Sequence, residues 1–263
     1  MGGWLRQVLR LIADRYFPKY NWIGIHRSFS DIGDRGAGFD GLQWAKDTAA
    51  LTRMTKSACT SRVIPKAVQG DDALLGMLVS TIKAGNRPVS IVDFGGGAGI
   101  SYIHARSSIS GDVSLRYRVI ESAPVVDEGK RLFVENDEIS FSTTFPEPGE
   151  PVDVVFVSTA LQYVEDTNQI LKKMAMLGPT YFLFVKLSAG EIPDFVTTQV
   201  NVHGSRIPYR FLNVAMFIDQ MNILGYELRY RTQALGILNM ENFPASHRLQ
   251  ACCNLMFEKK AAT

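Results

Sequence analysis

The run Ser90-Ile91-Val92-Asp93-Phe94-Gly95-Gly96-Gly97-Ala98-Gly99-Ile100 decides how this chain is read. An apolar, partly β-branched stretch ends in an acid, breaks into glycines and passes into the helix-compatible Ile100-Ser101-Tyr102-Ile103-His104-Ala105. The pattern predicts a strand, a tight loop and a helix N-terminus. Glycines in such a loop let the backbone adopt positive φ and come close to a ligand, and the first free N–H groups of the helix face the same space. A nucleotide-like molecule suits that corner; a purely structural turn is the alternative. Two common versions of the motif are excluded by spacing. Counting G-x-G-x-x-G from Gly95 and Gly97 places Ile100 at the third glycine, and no Lys follows the glycines as a P-loop requires.

The next candidate strand, Leu115-Arg116-Tyr117-Arg118-Val119-Ile120, ends in Glu121. In open α/β sheets ligands sit beyond the carboxyl ends of the strands near the switch point. An acid there can accept both hydrogen bonds of a ribose diol; a solvated surface glutamate is the plainer alternative. The pattern that is present, Asp93-x-Gly95-x-Gly97-x-Gly99, resembles motif I of the class I S-adenosylmethionine-dependent methyltransferases. The segment Ser158-Thr159-Ala160-Leu161-Gln162-Tyr163-Val164-Glu165-Asp166 is similar to the loop that follows the fourth strand in those proteins.

The resemblance implies a Rossmann-like methyltransferase fold: α/β, doubly wound, with a mostly parallel seven-stranded sheet. It implies S-adenosylmethionine as cofactor, with S-adenosylhomocysteine as product. The cofactor would be held by Asp93, Phe94, Gly95, Gly96, Gly97, Gly99, Glu121, Ser158, Thr159 and Ala160, with Asp93 acting on the amino-acid side directly or through water. The stretches Thr198-Gln199-Val200, Ile207-Pro208-Tyr209-Arg210-Phe211-Leu212-Asn213 and Gly225-Tyr226-Glu227-Leu228 look like a narrower group, bacterial methyltransferases associated with surface-polysaccharide synthesis, as does Tyr20-Asn21-Trp22-Ile23-Gly24. The Asn/Asp-Pro-Pro-Tyr sequence of many nucleic-acid N-methyltransferases is absent.

Composition agrees with a globular protein. At 263 residues and 46% hydrophobic content the chain can bury a full core. A formal charge of +2 without an Arg/Lys block gives no support for a nucleic-acid partner. The three cysteines, Cys59 and the pair Cys252-Cys253, make no C-x-x-C, and the histidines 26, 104, 203 and 247 make no H-E-x-x-H, so no metal site is expected. No apolar run has the length of a membrane span and no signal-peptide core opens the sequence, which makes a cytoplasmic protein the expectation.

Two regions are expected along the chain. Residues 1–70 would form a helical and aromatic cap. An amphipathic helix over 4–17, with Trp4, Val8, Leu11, Ile12 and Tyr16 on one face, would pack on the protein or lie on a membrane surface. The aromatic, glycine-containing stretch 18–45 would roof a site or form a satellite core. Residues 71–263 would form the cofactor-binding domain. Asp71 reads as the N-cap of a helix over 72–84. The alternation continues with a helix over 124–135, strands over 139–142 and 152–157, a helix over 167–177 and a strand over 181–185. A helix near 211–224 and strands over 226–232 and 251–258 close the pattern. Residues 187–211 break the rhythm with two prolines and two glycines and read as a long functional loop, a lid.

Methyl transfer from a sulfonium needs alignment, exclusion of water and, for a hydroxyl acceptor, a proton acceptor. His203 in the expected lid is the candidate base, ahead of His104 and Asp166. Tyr20, Trp22, Tyr163, Gln199, Arg206 and Tyr209 supply the aromatic, amide and cationic groups that would line an acceptor pocket. The leading reading is thus a methyltransferase acting on a hydroxyl of a small molecule such as a sugar. An NAD-type sugar-modifying oxidoreductase or epimerase and a catalytically silent binding protein are the alternatives. The acceptor and the oligomeric state are not legible.

Overall fold

The computed structural model describes residues 19–261 apart from 34, 35, 37, 59–66, 86, 148, 203 and 204. The helix expected over 4–17, Cys59 and His203 lie outside the described residues. Strand β1 (Trp22–His26) and helices α1 (Leu42–Ala58) and α2 (Leu74–Thr81) come first. An alternating series follows: β2 (Val89–Phe94), α3 (Ile100–Ser108), β3 (Leu115–Ile120), α4 (Ala123–Leu132), β4 (Ile139–Ser142), β5 (Val154–Ser158), α5 (Thr167–Met176) and β6 (Tyr181–Leu187). Then come β7 (Ala189–Gly190), β8 (Phe195–Val202), β9 (Ser205–Asn213), α6 (Val214–Ile223), β10 (Tyr226–Gln233) and β11 (Cys253–Lys259).

Seven strands form one sheet in the order β10-β11-β6-β5-β2-β3-β4. The five from β6 to β4 are parallel, and β11 runs antiparallel to both β6 and β10. The sequence order reverses between β2 and β5, so the switch point lies where the glycine run leaves β2. Alternate residues of the central strands feed two separate cores. Ile91, Val154, Phe156, Leu183 and Val185 pack on one face; Val92, Val155, Val157, Phe182 and Phe184 pack on the other. Both faces are covered, which explains why these strands read as continuous apolar runs.

The segment 187–211 is not an irregular loop. β8 and β9 pair antiparallel, and β1 joins β8 to make a second sheet in the order β1-β8-β9-β7. Pro193 lies before β8 and Pro208 lies within β9 opposite Thr198, while β-branched and aromatic residues supply the strand propensity: Val196, Thr197, Thr198, Tyr209 and Phe211. Trp22, Phe195, Tyr209, Phe211, Phe243 and Leu249 make its core. The region 1–70 therefore contributes a strand to this sheet, and also the unanticipated helix α1, whose Lys56 donates to the Leu132 carbonyl at 2.7 Å at the end of α4.

Asp71 is not an N-cap. It lies inside a 3₁₀ turn, Gly70–Ala73, and α2 stops at Thr81, short of the expected residue 84. Its buried carboxylate accepts from the Leu235 N–H at 2.9 Å and from Asn254 Nδ2 at 2.8 Å. It thus ties two distant connections to the closing strand β11. Replacing Asp71 with Ala leaves the Leu235 N–H without its acceptor, and is expected to lower unfolding free energy by about 1–3 kcal/mol in urea titrations.

Candidate active site

The site grows out of the turn after β2. Gly95 and Gly97 have φ of +71° and +58°, a region that L side chains rarely occupy. Space is limiting as well: a Cβ at Gly95 would stand 2.3 Å from the Ala160 methyl, and one at Gly97 would stand 2.8 Å from Thr48 Oγ1 of α1. A Cβ at Gly96 would fall 2.2 Å from Asp93 Oδ2. Asp93 is therefore roofed by the turn and does not face the open cleft. Its Oδ2 accepts from the Tyr117 hydroxyl at 2.6 Å, while buried Oδ1 has no partner among the described residues. Gly99 is the N-cap of α3 and packs toward Ile139, Phe133 and Phe141.

Beside the turn opens a cleft of about 450 Å³, within the about 300–1,000 Å³ usual for small-molecule sites. Phe94 and Gly95 end one wall, Glu121 and Ser122 a second, Thr159, Ala160 and Tyr163 a third, and Phe39, Asp40 and Trp44 close it from the N-terminal region. These groups come from the carboxyl ends of β2, β3 and β5, on both sides of the switch point. Glu121 accepts from the Gly97 N–H at 3.2 Å through Oε1 and from the Ser122 N–H at 2.7 Å through Oε2. Burial nevertheless raises its carboxyl above the ordinary value, with nearby Asp40 adding to the effect.

A second cavity, about 240 Å³, shares Thr159 and Tyr163 with the cleft. Trp22, Gln162, Lys186, Tyr209, Leu238 and Cys252 are among its walls. Two of its backbone positions are unusual: Thr159 and Lys186 both have positive φ, at 53° and 54°. Such strain in side-chain-bearing residues collects at functional sites.

The structure thus brings Phe94, Gly95, Glu121, Thr159, Ala160, Trp22, Tyr163 and Tyr209 to one of the two spaces. Ser158 ends β5 outside both linings, Tyr20 lies under Lys19 Nζ at 4.8 Å, and Arg206 is exposed on β9. Gln199 is close by but already engaged, its Oε1 accepting from Tyr163 at 2.9 Å and its Nε2 donating to Asn201 at 2.8 Å. Tyr209 bonds Ser188. His104 faces Asp72 at 3.7 Å, and Asp166 caps α5 by accepting from the Gln169 N–H. The residues not singled out from sequence are Asp40, Ser122, Thr143, Gln162, Lys186 and Cys252. Asp40 and Gln162 lie within segments that carried a signal, the aromatic stretch 18–45 and the loop 158–166.

No family model matches the sequence, and no curated protein does. Solved structures do match in fold. A chain from the complex between the Haloferax volcanii Trm112 methyltransferase activator and a candidate methyltransferase is 15% identical over 86% of this chain and 97% of its own, with a TM-score of 0.55. The Burkholderia thailandensis 1,6-didemethyltoxoflavin-N1-methyltransferase, with bound S-adenosylhomocysteine, is 10% identical over 83% of this chain and 88% of its own, with a TM-score of 0.50. The [4+2]-cyclase SpnF is 12% identical over 88% of this chain and all of its own, with a TM-score of 0.54. The fold is the Rossmann-like one found in S-adenosylmethionine-dependent methyltransferases. A cyclase on the same fold means that function has to be argued from the site. No helix among the described residues is long and apolar enough to cross a membrane.

The buried Asp93 generates a pH prediction. Desolvation pushes its carboxyl up to about 7, above the usual value of about 4. Between those values the folded protein holds a proton that the unfolded chain releases, so this group lowers stability as pH rises from about 4 to about 7. Asp93→Asn should remove that contribution. Thermal unfolding should show the variant gaining on the wild type as pH rises across this window.

Proposed function

We propose that the protein is an S-adenosylmethionine-dependent methyltransferase that methylates a hydroxyl of a small acceptor, a sugar or a related hydroxylated molecule. The observation that carries this reading is Glu121 lining, with Gly95, a cleft at the switch point. A carboxylate has about four acceptor sites, and two of those on Glu121 are taken by the N–H groups of Gly97 and Ser122. Two remain, enough for the vicinal hydroxyls of a ribose. The rings of Phe94, Phe39 and Trp44 give the same cleft flat apolar walls for an adenine. The cleft is bounded by Gly95 where a side chain would collide with Ala160, so the backbone there can approach a ligand closely.

S-adenosylmethionine, when bound, supplies an activated methyl group, and the chain has only to orient, desolvate and take up a proton. Tyr163 and Thr159 stand between the cleft and the second cavity and would align an acceptor on the far side. His203 stays the proposed base. A role in surface-polysaccharide synthesis rests on the sequence resemblance alone.

Calorimetric titration tests the reading. S-adenosylhomocysteine should bind and NAD should bind much more weakly. Glu121→Gln replaces charge-assisted hydrogen bonds worth about 1.5–3 kcal/mol each, and should weaken S-adenosylhomocysteine at least tenfold with the fold intact. Equal or tighter binding of NAD would refute the cofactor assignment.

A further inference from the structure

Among the described residues lining the second cavity, Lys186 is the one that carries a charge. Its position depends on a break in strand register. Leu183 and Val185 of β6 point into one core, Phe182 and Phe184 into the other. Strict alternation would send residue 186 in with Phe182 and Phe184. Leu187 packs there instead. Cys253 of β11 pairs with Leu187 and Leu255 with Phe184, so Asn254 alone faces both Val185 and Lys186. That two-against-one arrangement is a β-bulge, a device that re-aims a side chain and is common beside active sites.

In the bulge Lys186 takes φ of 54°, a region that few residues other than glycine occupy. Two amide side chains, each 1% exposed, clamp it there. Asn254 Oδ1 accepts from the Lys186 N–H at 2.9 Å, and Gln162 Nε2 donates to the Lys186 carbonyl at 3.1 Å. Asn254 is fixed in turn, its Nδ2 donating to Asp71 at 2.8 Å. Strain held in place by so many contacts collects at functional positions. A bulge serving only to keep a charge out of the core would leave the side chain in solvent. The Lys186 side chain is 35% exposed and lines the cavity.

The ammonium has donors to spare. Of its three N–H groups one goes to Asp72 Oδ1 at 3.1 Å, and no second acceptor meets it among the described residues. Asp72 is half-exposed and lies outside the cavity lining, with Oδ2 toward His104 Nδ1 at 3.7 Å. An ion pair this exposed adds little stability, so it does not account for the clamped backbone. The charge also acts on the cavity wall: burial raises the Cys252 thiol, and the Lys186 ammonium works against that rise.

We infer that the second cavity is the acceptor site and that Lys186 binds a carboxylate there, which makes the acceptor an acidic sugar of the uronate type. The inference rests on the methyltransferase reading and narrows its acceptor. At about 240 Å³ the cavity is smaller than the about 300–1,000 Å³ of drug-sized sites, which suits a single ring. Trp22, Tyr163 and Tyr209 give aromatic walls for the C–H face of a pyranose. Thr159 Oγ1 donates to the Ser158 carbonyl at 2.8 Å and keeps lone pairs for a sugar hydroxyl. One ammonium matches one carboxylate. A phosphate dianion would bring a further negative charge toward Asp72, with no second cation on the described wall. With the carboxylate fixed at Lys186, the far hydroxyls of the ring are turned toward Thr159, which the cavity shares with the cleft.

Ligand-observed NMR on the full chain, with and without saturating S-adenosylhomocysteine, tests the assignment. The probes are methyl α-glucopyranosiduronate, methyl α-galactopyranosiduronate, the two neutral methyl glycosides and glucose 6-phosphate. At least one uronate should bind, and its neutral counterpart should bind at least tenfold more weakly. Lys186→Asn removes the ammonium while supplying a residue that tolerates the left-handed region. It should weaken the uronate at least tenfold and leave S-adenosylhomocysteine within twofold. Lys186→Arg keeps the charge and should retain uronate binding. Asp72→Asn removes the competing carboxylate and should tighten the uronate. Labelled methyl from S-adenosylmethionine should appear on the uronate that binds. Absence of S-adenosylhomocysteine binding would overturn the methyltransferase reading, and the carboxylate site is then judged from the uronates on the chain alone. That site is refuted if no uronate binds, if a neutral glycoside or glucose 6-phosphate binds as tightly, or if Lys186→Asn binds the uronate like the wild type. Loss of S-adenosylhomocysteine in that variant would assign Lys186 to the cofactor instead, and a bound uronate that takes no methyl would end its role as acceptor.

Discussion

The carboxylate of Asp93 occupies the space that a side chain at position 96 would need, and the site is shaped by that exclusion. Because Asp93, one residue before the end of β2, is fully buried, its carboxyl has no access to water, and Tyr117 from β3 gives it a hydrogen bond. The glycine turn has to pass directly over it. The turn then stands at the mouth of the cleft, where the N–H of Gly97 meets Glu121 from the next strand. One buried acid therefore couples β2, β3 and the helix start into a single rigid corner.

Around that corner the chain builds two spaces with a common wall. The cleft is made by the carboxyl ends of the parallel strands, as expected for an open α/β sheet with a switch point. The second cavity is made by elements remote in sequence: Trp22 from β1, Gln162 after β5, Tyr209 from β9 and Cys252 before β11. Thr159 belongs to both, in a conformation that a β-branched residue rarely accepts. Strain of this kind persists when surrounding contacts over-determine it, and here the Thr159 N–H is held by the Val185 carbonyl at 3.1 Å.

The small sheet does more than cover the site. Its β1 strand precedes the parallel domain by more than a helix and a turn, yet it pairs with β8, which follows β6. The beginning and the later part of the chain are thus joined over the carboxyl end of the sheet. The aromatic packing of Trp22, Tyr209 and Phe211 makes that junction a core in its own right.

Periodicity and turn chemistry made the parallel sheet legible. β3 and β4 have the expected residue limits, and the glycine turn and Glu121 stand where local pattern placed them, because strand ends and turns are set by near neighbours. The hairpin β8–β9 was missed for the opposite reason: Pro193, Pro208 and two glycines mask strands whose stability comes from pairing with β1 and packing on Trp22. Asp71 looked like a local cap because an acid before an apolar helical run has that chemistry, whereas its partners Leu235 and Asn254 lie far along the chain. The same distance hid the second cavity. A sequence shows that Trp22 and Gln162 carry a donor and an acceptor; only the packed structure decides that Trp22 Nε1 and Gln162 Oε1 are buried without a hydrogen-bond partner among the described residues.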